Sequence, residues 1–123
     1  MEFPELIQLL SRQFALPGLS VVPGGRCAVR FDDIVVHFSH VPEAQALDLS
    51  TALGRVDAAD PRALQNLRSL HEGNSHLHWN EAGAVWMAQR FYLQAMAFPH
   101  FVRALERFIN QADRCCAMLP LRS

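Results

Sequence analysis

The chain has 123 residues, of which 50% are hydrophobic and 19% charged, and its formal net charge is −1 at pH 7. That length predicts one domain, residues 1–123, with enough surface to bury for a core of its own, and the composition excludes a disordered chain. The near-neutral charge leaves no footprint for nucleic acid or an anionic membrane surface, and no apolar run approaches the roughly 20 residues of a membrane span.

Phe3, Leu6, Ile7, Leu10 and Phe14 recur at helical spacing, with Glu2, Gln8, Ser11 and Arg12 on the other side. This predicts an amphipathic first helix, ended by Pro17-Gly18. Met1-Glu2-Phe3-Pro4-Glu5 has no basic region followed by an apolar run, so no secretory leader is expected. Leu19 to Val22 reads as a short extended piece and Pro23-Gly24-Gly25 as a turn.

Three strands are expected next. Cys27, Val29 and Phe31 alternate with Ala28 and Arg30; Ile34, Val36 and Phe38 alternate with Val35 and His37. Asp32-Asp33 between them is a tight turn, so the two strands form a hairpin. After a loop at Pro42-Glu43-Ala44-Gln45, Leu47, Leu49, Thr51 and Leu53 alternate with Asp48, Ser50 and Ala52. Such alternation suits a sheet with one wet face.

Asp60-Pro61 marks the start of a second helix, because Asp caps free backbone N–H groups and Pro fits the first helical position. Ala63, Leu64, Leu67, Leu70 and His71 continue it and Gly73-Asn74 ends it. Gly83 then opens a second pair of strands, Ala84 to Ala88 and Phe91 to Ala97, flanking a turn at Gln89-Arg90. Trp86, Met87, Phe91, Tyr92, Leu93 and Met96 make this region apolar on both faces. Phe101, Val102, Leu105, Phe108, Ile109 and Ala112 form the stripe of a last helix. The order α-β-β-β-α-β-β-α, with tight turns between neighbouring strands, implies an α+β fold: a twisted antiparallel sheet packed by helices.

Several chemical constellations are weak. His71, His76 and His78 lie near Glu72, Glu81 and His100, but no third ligand has a recognised metal spacing. Cys27, Cys115 and Cys116 form no disulfide framework and lack a catalytic His and Asn context, which points to a reducing cytosol. Asp32-Asp33 suits a turn better than acid–base work. No Gly-rich phosphate loop and no Gly-x-Ser-x-Gly element is present, so neither catalysis nor a cofactor is expected.

Taken in order, these pieces resemble the class I chaperones of type III secretion, the family of the Tir chaperone. The resemblance runs over about residues 3–117. It rests on the apolar first helix running into Ala15-Leu16-Pro17-Gly18-Leu19 and on the strand Cys27 to Phe31 with its carboxylate turn. It continues with Leu47-Asp48-Leu49-Ser50-Thr51-Ala52-Leu53-Gly54, the helix ending near Glu72-Gly73-Asn74, Gly83-Ala84, and the helix from Phe101 to Asn110. It implies a homodimer in the bacterial cytoplasm that binds the N-terminal segment of one or more secreted effectors in extended form. It further implies hand-over to the export ATPase, with no cofactor, no chemistry, no nucleic acid and no membrane insertion.

Within that reading, Leu67, Leu70, Trp86 and Met87 are the expected dimer contacts, and Leu10, Phe14, Val35 and His37 the expected effector contacts. All eight also suit ordinary core or surface positions. Two other functions use the same sequence: a dimeric protein-binding regulator, and a small-ligand or metal-binding domain built on the last hairpin and the His-rich loop.

Overall fold

The computed structural model describes residues 1–16 and 25–121. The expected extended piece at Leu19–Val22, the Pro17-Gly18 stop and most of the turn after it lie outside these. Helix α1 is Phe3–Gln13, with Pro4 in its first turn and Phe3, Leu6, Ile7 and Leu10 buried. Phe14 is its C-terminal cap residue. Strands β1 (Arg26–Phe31) and β2 (Ile34–Val41) pair antiparallel, closing on Phe31 opposite Ile34. The turn between them puts Asp32 at φ 55°, a left-handed conformation that Asp tolerates better than most residues.

The chain then passes through a short 3-10 turn, Pro42–Ala44, into β3 (Ala46–Arg55). Helix α2 is Pro61–Gly73 and begins as its sequence dictates, with the Asp60 carboxylate accepting from the Arg62 N–H at 3.0 Å. Asp60→Ala removes that cap and is expected to cost about 1 kcal/mol. A urea titration monitored by circular dichroism measures it.

The second strand pair differs from the expected hairpin. Gln89-Arg90 is no turn. Ala84–Tyr92 is one continuous strand, β5, and its hairpin partner is β4, only Leu77–Trp79, in the stretch before it. The turn chemistry sits at Asn80 and Gly83. The Asn80 side chain accepts from the N–H groups of Ala82 and Ala84 at 3.0 and 3.1 Å, and Gly83 adopts φ 85°. Gln89-Arg90 has no residue that relaxes the backbone, and Arg90 is held extended by a cross-strand ion pair with Asp48. After Tyr92 the chain leaves the sheet through a second 3-10 turn, Leu93–Ala95, where the expected fifth strand was to run.

Helix α3, Phe98–Met118, closes the fold. The sheet order is β1-β2-β3-β5-β4, all antiparallel. Its element order is the expected one and its class is α+β. One sheet face and the apolar stripes of all three helices make a single core, with Phe38, Leu47, Leu49, Met87, Phe101, Leu105 and Phe108 fully buried. The strands alternate accordingly. In β1, Cys27 and Val29 are buried while Arg26, Ala28 and Arg30 are exposed. The opposite sheet face carries no helix among the described residues, and none of the described helices is long and apolar enough to cross a membrane.

Candidate functional site

Two features of the sheet stand out as unpartnered surface: the outer edge of β1 and the open face beside it. The edge follows from register. The His40 N–H donates to the Gly25 carbonyl at 2.8 Å, so in the β1–β2 ladder Cys27, Val29 and Phe31 form the hydrogen-bonded pairs. Arg26, Ala28 and Arg30 therefore turn their N–H and C=O groups away from β2, where no described strand pairs with them. An edge of this kind is a template for another strand.

Aromatic rings flank the edge on the core side. Phe14 meets Phe31 edge to face, centroids 5.3 Å apart, and both are half-buried. Phe3 stacks flat on His40 at 4.6 Å, fixing α1 beneath β2. On the open face the floor is small and polar. Arg26, Ala28, His37, Ser39 and Ser50 line a trough of about 440 Å³ over Cys27 and Phe38. The β2–β3 ladder ends at His37 opposite Ser50. The Thr51 hydroxyl then takes over, donating to the Val35 carbonyl at 2.8 Å. Thr51 is thus a buried polar residue with its hydrogen bond made.

The open face changes character toward β5. Arg90 grips Asp48 with two nitrogens, at 2.7 and 3.0 Å, the only ion pair among the described residues. The hydrogen bonds and charge of Asp48 raise the Arg90 guanidinium further above its usual range. Both groups are solvated, so the pair orders the strands more than it stabilises them. Beyond it, His78 stacks on Trp86 at 5.9 Å, and Tyr92 is 57% exposed.

The eight expected contact residues fall into two groups. Leu10, Leu67 and Met87 lie in the core, 1%, 0% and 0% exposed. Phe14 stands beside the β1 edge, and Val35 and His37 point to the open face, His37 lining the trough. Leu70 is half-buried on α2, and Trp86 is half-buried on the open face. The residues of the edge itself, Arg26, Ala28 and Arg30, were not singled out by sequence. Their alternation with buried neighbours was the available signal, but it does not say that the strand lies at an edge.

His40, His71 and His78 each stack on or meet an aromatic ring. His71 donates from Nδ1 to the Leu77 carbonyl, 2.9 Å away, and meets Trp79 edge to face. Among the described residues no three His, Cys, Asp or Glu side chains converge as metal ligands. Burial raises the thiols of Cys27, Cys115 and Cys116, which keeps them protonated and weakly nucleophilic.

An open strand edge beside an apolar lip, on a five-stranded sheet backed by three helices, is the geometry that strand addition uses. The sequence profile of the Tir chaperone protein (CesT) family matches residues 5–115, and the chain belongs to that family. No curated protein matches in sequence. Among solved structures the chain is similar to a component of the ExsC–ExsE complex, at 21% identity and a TM-score of 0.76, over 97% of this chain and 94% of that one. It is also similar to the structure of the Yersinia pestis type III secretion chaperone SycH with a stable fragment of YscM2, at 14% identity and a TM-score of 0.70, over 92% and 98%. A third is the HopA1–SchA chaperone–effector complex, at 16% identity and a TM-score of 0.73, over 94% and 93%. These likenesses establish the fold.

Proposed function

We propose that this chain is a cytoplasmic chaperone of type III secretion, without catalytic activity, that holds the N-terminal segment of an exported effector in extended form. Family membership gives the class. The observation that carries the mechanism is the β1 edge, where Arg26, Ala28 and Arg30 offer main-chain groups that no described strand uses. An extended segment added there gains affinity from main-chain hydrogen bonds and specificity from alternate side chains. Phe14 and Phe31 meet its inward side chains; His37 and Val35 lie under the outward ones. The similar structures include one described as a chaperone–effector complex. The bound complex then passes to the export ATPase.

The test begins with affinity purification from the cytosol of secreting cells, followed by truncation of whatever exported protein is recovered. Binding retained by its N-terminal segment alone is expected; binding that needs a folded domain contradicts the reading. Val35→Asp with His37→Asp is expected to weaken the complex about tenfold or more, the effect of ~1.4 kcal/mol. Both side chains face outward, so the thermal midpoint should stay within a few degrees.

The chain acts in this proposal as a homodimer. Trp86, on the open face with His78 stacked against it, supplies contact surface on one side of the sheet and Leu70 of α2 on the other, with Met87 and Leu67 in the core between the sheet and α2. A two-fold interface uses one patch twice, and Trp is enriched in such patches. Trp86→Asp is expected to convert the dimer to monomer in sedimentation velocity at micromolar concentration. A wild-type protein that is already monomeric there overturns the dimer.

A further inference from the structure

We infer that the β1 edge selects its strand by charge, favouring a segment with an acidic residue two positions before and two positions after a large one, on the face turned away from the core. This rests on the proposed addition of an extended segment to that edge. The side chains of Arg26, Ala28 and Arg30 all project to the open face, while their main-chain groups point to the free side. A strand pairing there sets three alternate side chains directly beside these three. Two of the three neighbours are arginines, and neither has a carboxylate partner among the described residues. The one nearby acidic side chain on this face, Asp48, is already held by both nitrogens of Arg90. The turn carboxylates Asp32 and Asp33 make no ion pair with Arg30.

The middle position differs. Ala28 projects only a methyl group, and beyond it Ser39, Ser50 and His37 bound the trough of about 440 Å³. That room suits a large side chain reaching inward from the middle of the added strand. The two intervening residues face the core side, next to Cys27 and Val29 and toward the Phe14–Phe31 lip, which favours apolar groups. The recognised pattern is therefore acidic, apolar, large, apolar, acidic. Arginine matters here, because its planar fork can hold a carboxylate with two bonds.

Two synthetic, fluorescently labelled peptides with the same alternating apolar centre test this, one with glutamate at the first and fifth positions of the pattern and one with glutamine. Both are titrated against the full chain, against Arg26→Glu/Arg30→Glu, and against Ala28→Pro, which deletes a free-edge N–H without touching the β2 ladder. The glutamate peptide should bind wild type roughly threefold to tenfold tighter than the glutamine peptide at low salt. High salt should close the gap, and the double variant should reverse it. Equal binding of both peptides, lost in Ala28→Pro, overturns the charge selection and leaves strand addition standing. No binding of either peptide, or binding untouched by Ala28→Pro, overturns addition at β1 and this inference with it.

Discussion

Phe101→Ala should cost about 4 kcal/mol, among the largest losses expected from a single side chain in the fold. Phe101 sits one turn into α3 with no exposed surface. Its ring meets Phe91 of β5 edge to face, centroids 5.4 Å apart and planes at 80°. The helix and β5 are thus joined by a contact with its own geometry, worth roughly 0.5–1.5 kcal/mol beyond the buried area. Removing the ring leaves a cavity between two elements that cannot both close on it. A domain of this size has only about 5–15 kcal/mol in hand. The thermal midpoint should fall by roughly 10–20 °C, while Phe101→Leu, which fills most of the space, should lose less than half as much. Calorimetry of the two variants side by side measures it.

Gly83→Ala is the second large effect, and its sign is set by backbone. Gly83 has φ 85°, a region that L-residues with a side chain rarely enter. A Cβ there would sit well inside contact distance of the Val56 carbonyl oxygen. That carbonyl cannot swing aside freely, because the neighbouring Val56 N–H donates to the Gly83 carbonyl at 2.9 Å. Conformational strain of about 1–2 kcal/mol and a steric term of similar size give a loss near 3 kcal/mol. The same substitution at Gly73 is the control. Gly73 ends α2 with nothing within 4 Å of an added Cβ and no positive φ, so Gly73→Ala should be neutral or slightly stabilising. Urea unfolding of both variants separates a local clash from any general effect of replacing glycine.

The two glycines also mark what could be read from sequence. Local signals carried the reading where they were strong: the Asp60-Pro61 start of α2, the Asp32-Asp33 turn, and the 3.6-residue stripe of α3. The β4–β5 region failed for a physical reason. Strand β4 has three residues and exists because β5 lies beside it, and β5 runs straight through Gln89-Arg90 because it pairs with β3 along its length, Arg90 meeting a carboxylate 42 positions away. Neither is a local property. The site shows the same division. Val35 and His37 could be placed on the outward side of their strand from alternation, whereas Phe14 reads as part of the apolar stripe of α1. The β1 edge could not, since whether Arg26, Ala28 and Arg30 have free main-chain groups depends on strand order. Leu10, Leu67 and Met87 are indistinguishable from surface contacts by spacing alone, and their burial comes from the sheet they face.

The central claim is that an effector segment joins the sheet as a strand beside β1. Amide hydrogen exchange, read residue by residue on the complex with the N-terminal segment of a recovered effector, tests it most directly. The amides of Arg26, Ala28 and Arg30 point to the free edge and should exchange fast in the chain alone, then gain protection in the complex. Those of Cys27 and Val29, already bonded to β2, should change little. Protection that appears elsewhere while Arg26, Ala28 and Arg30 keep exchanging as before would contradict strand addition at this edge.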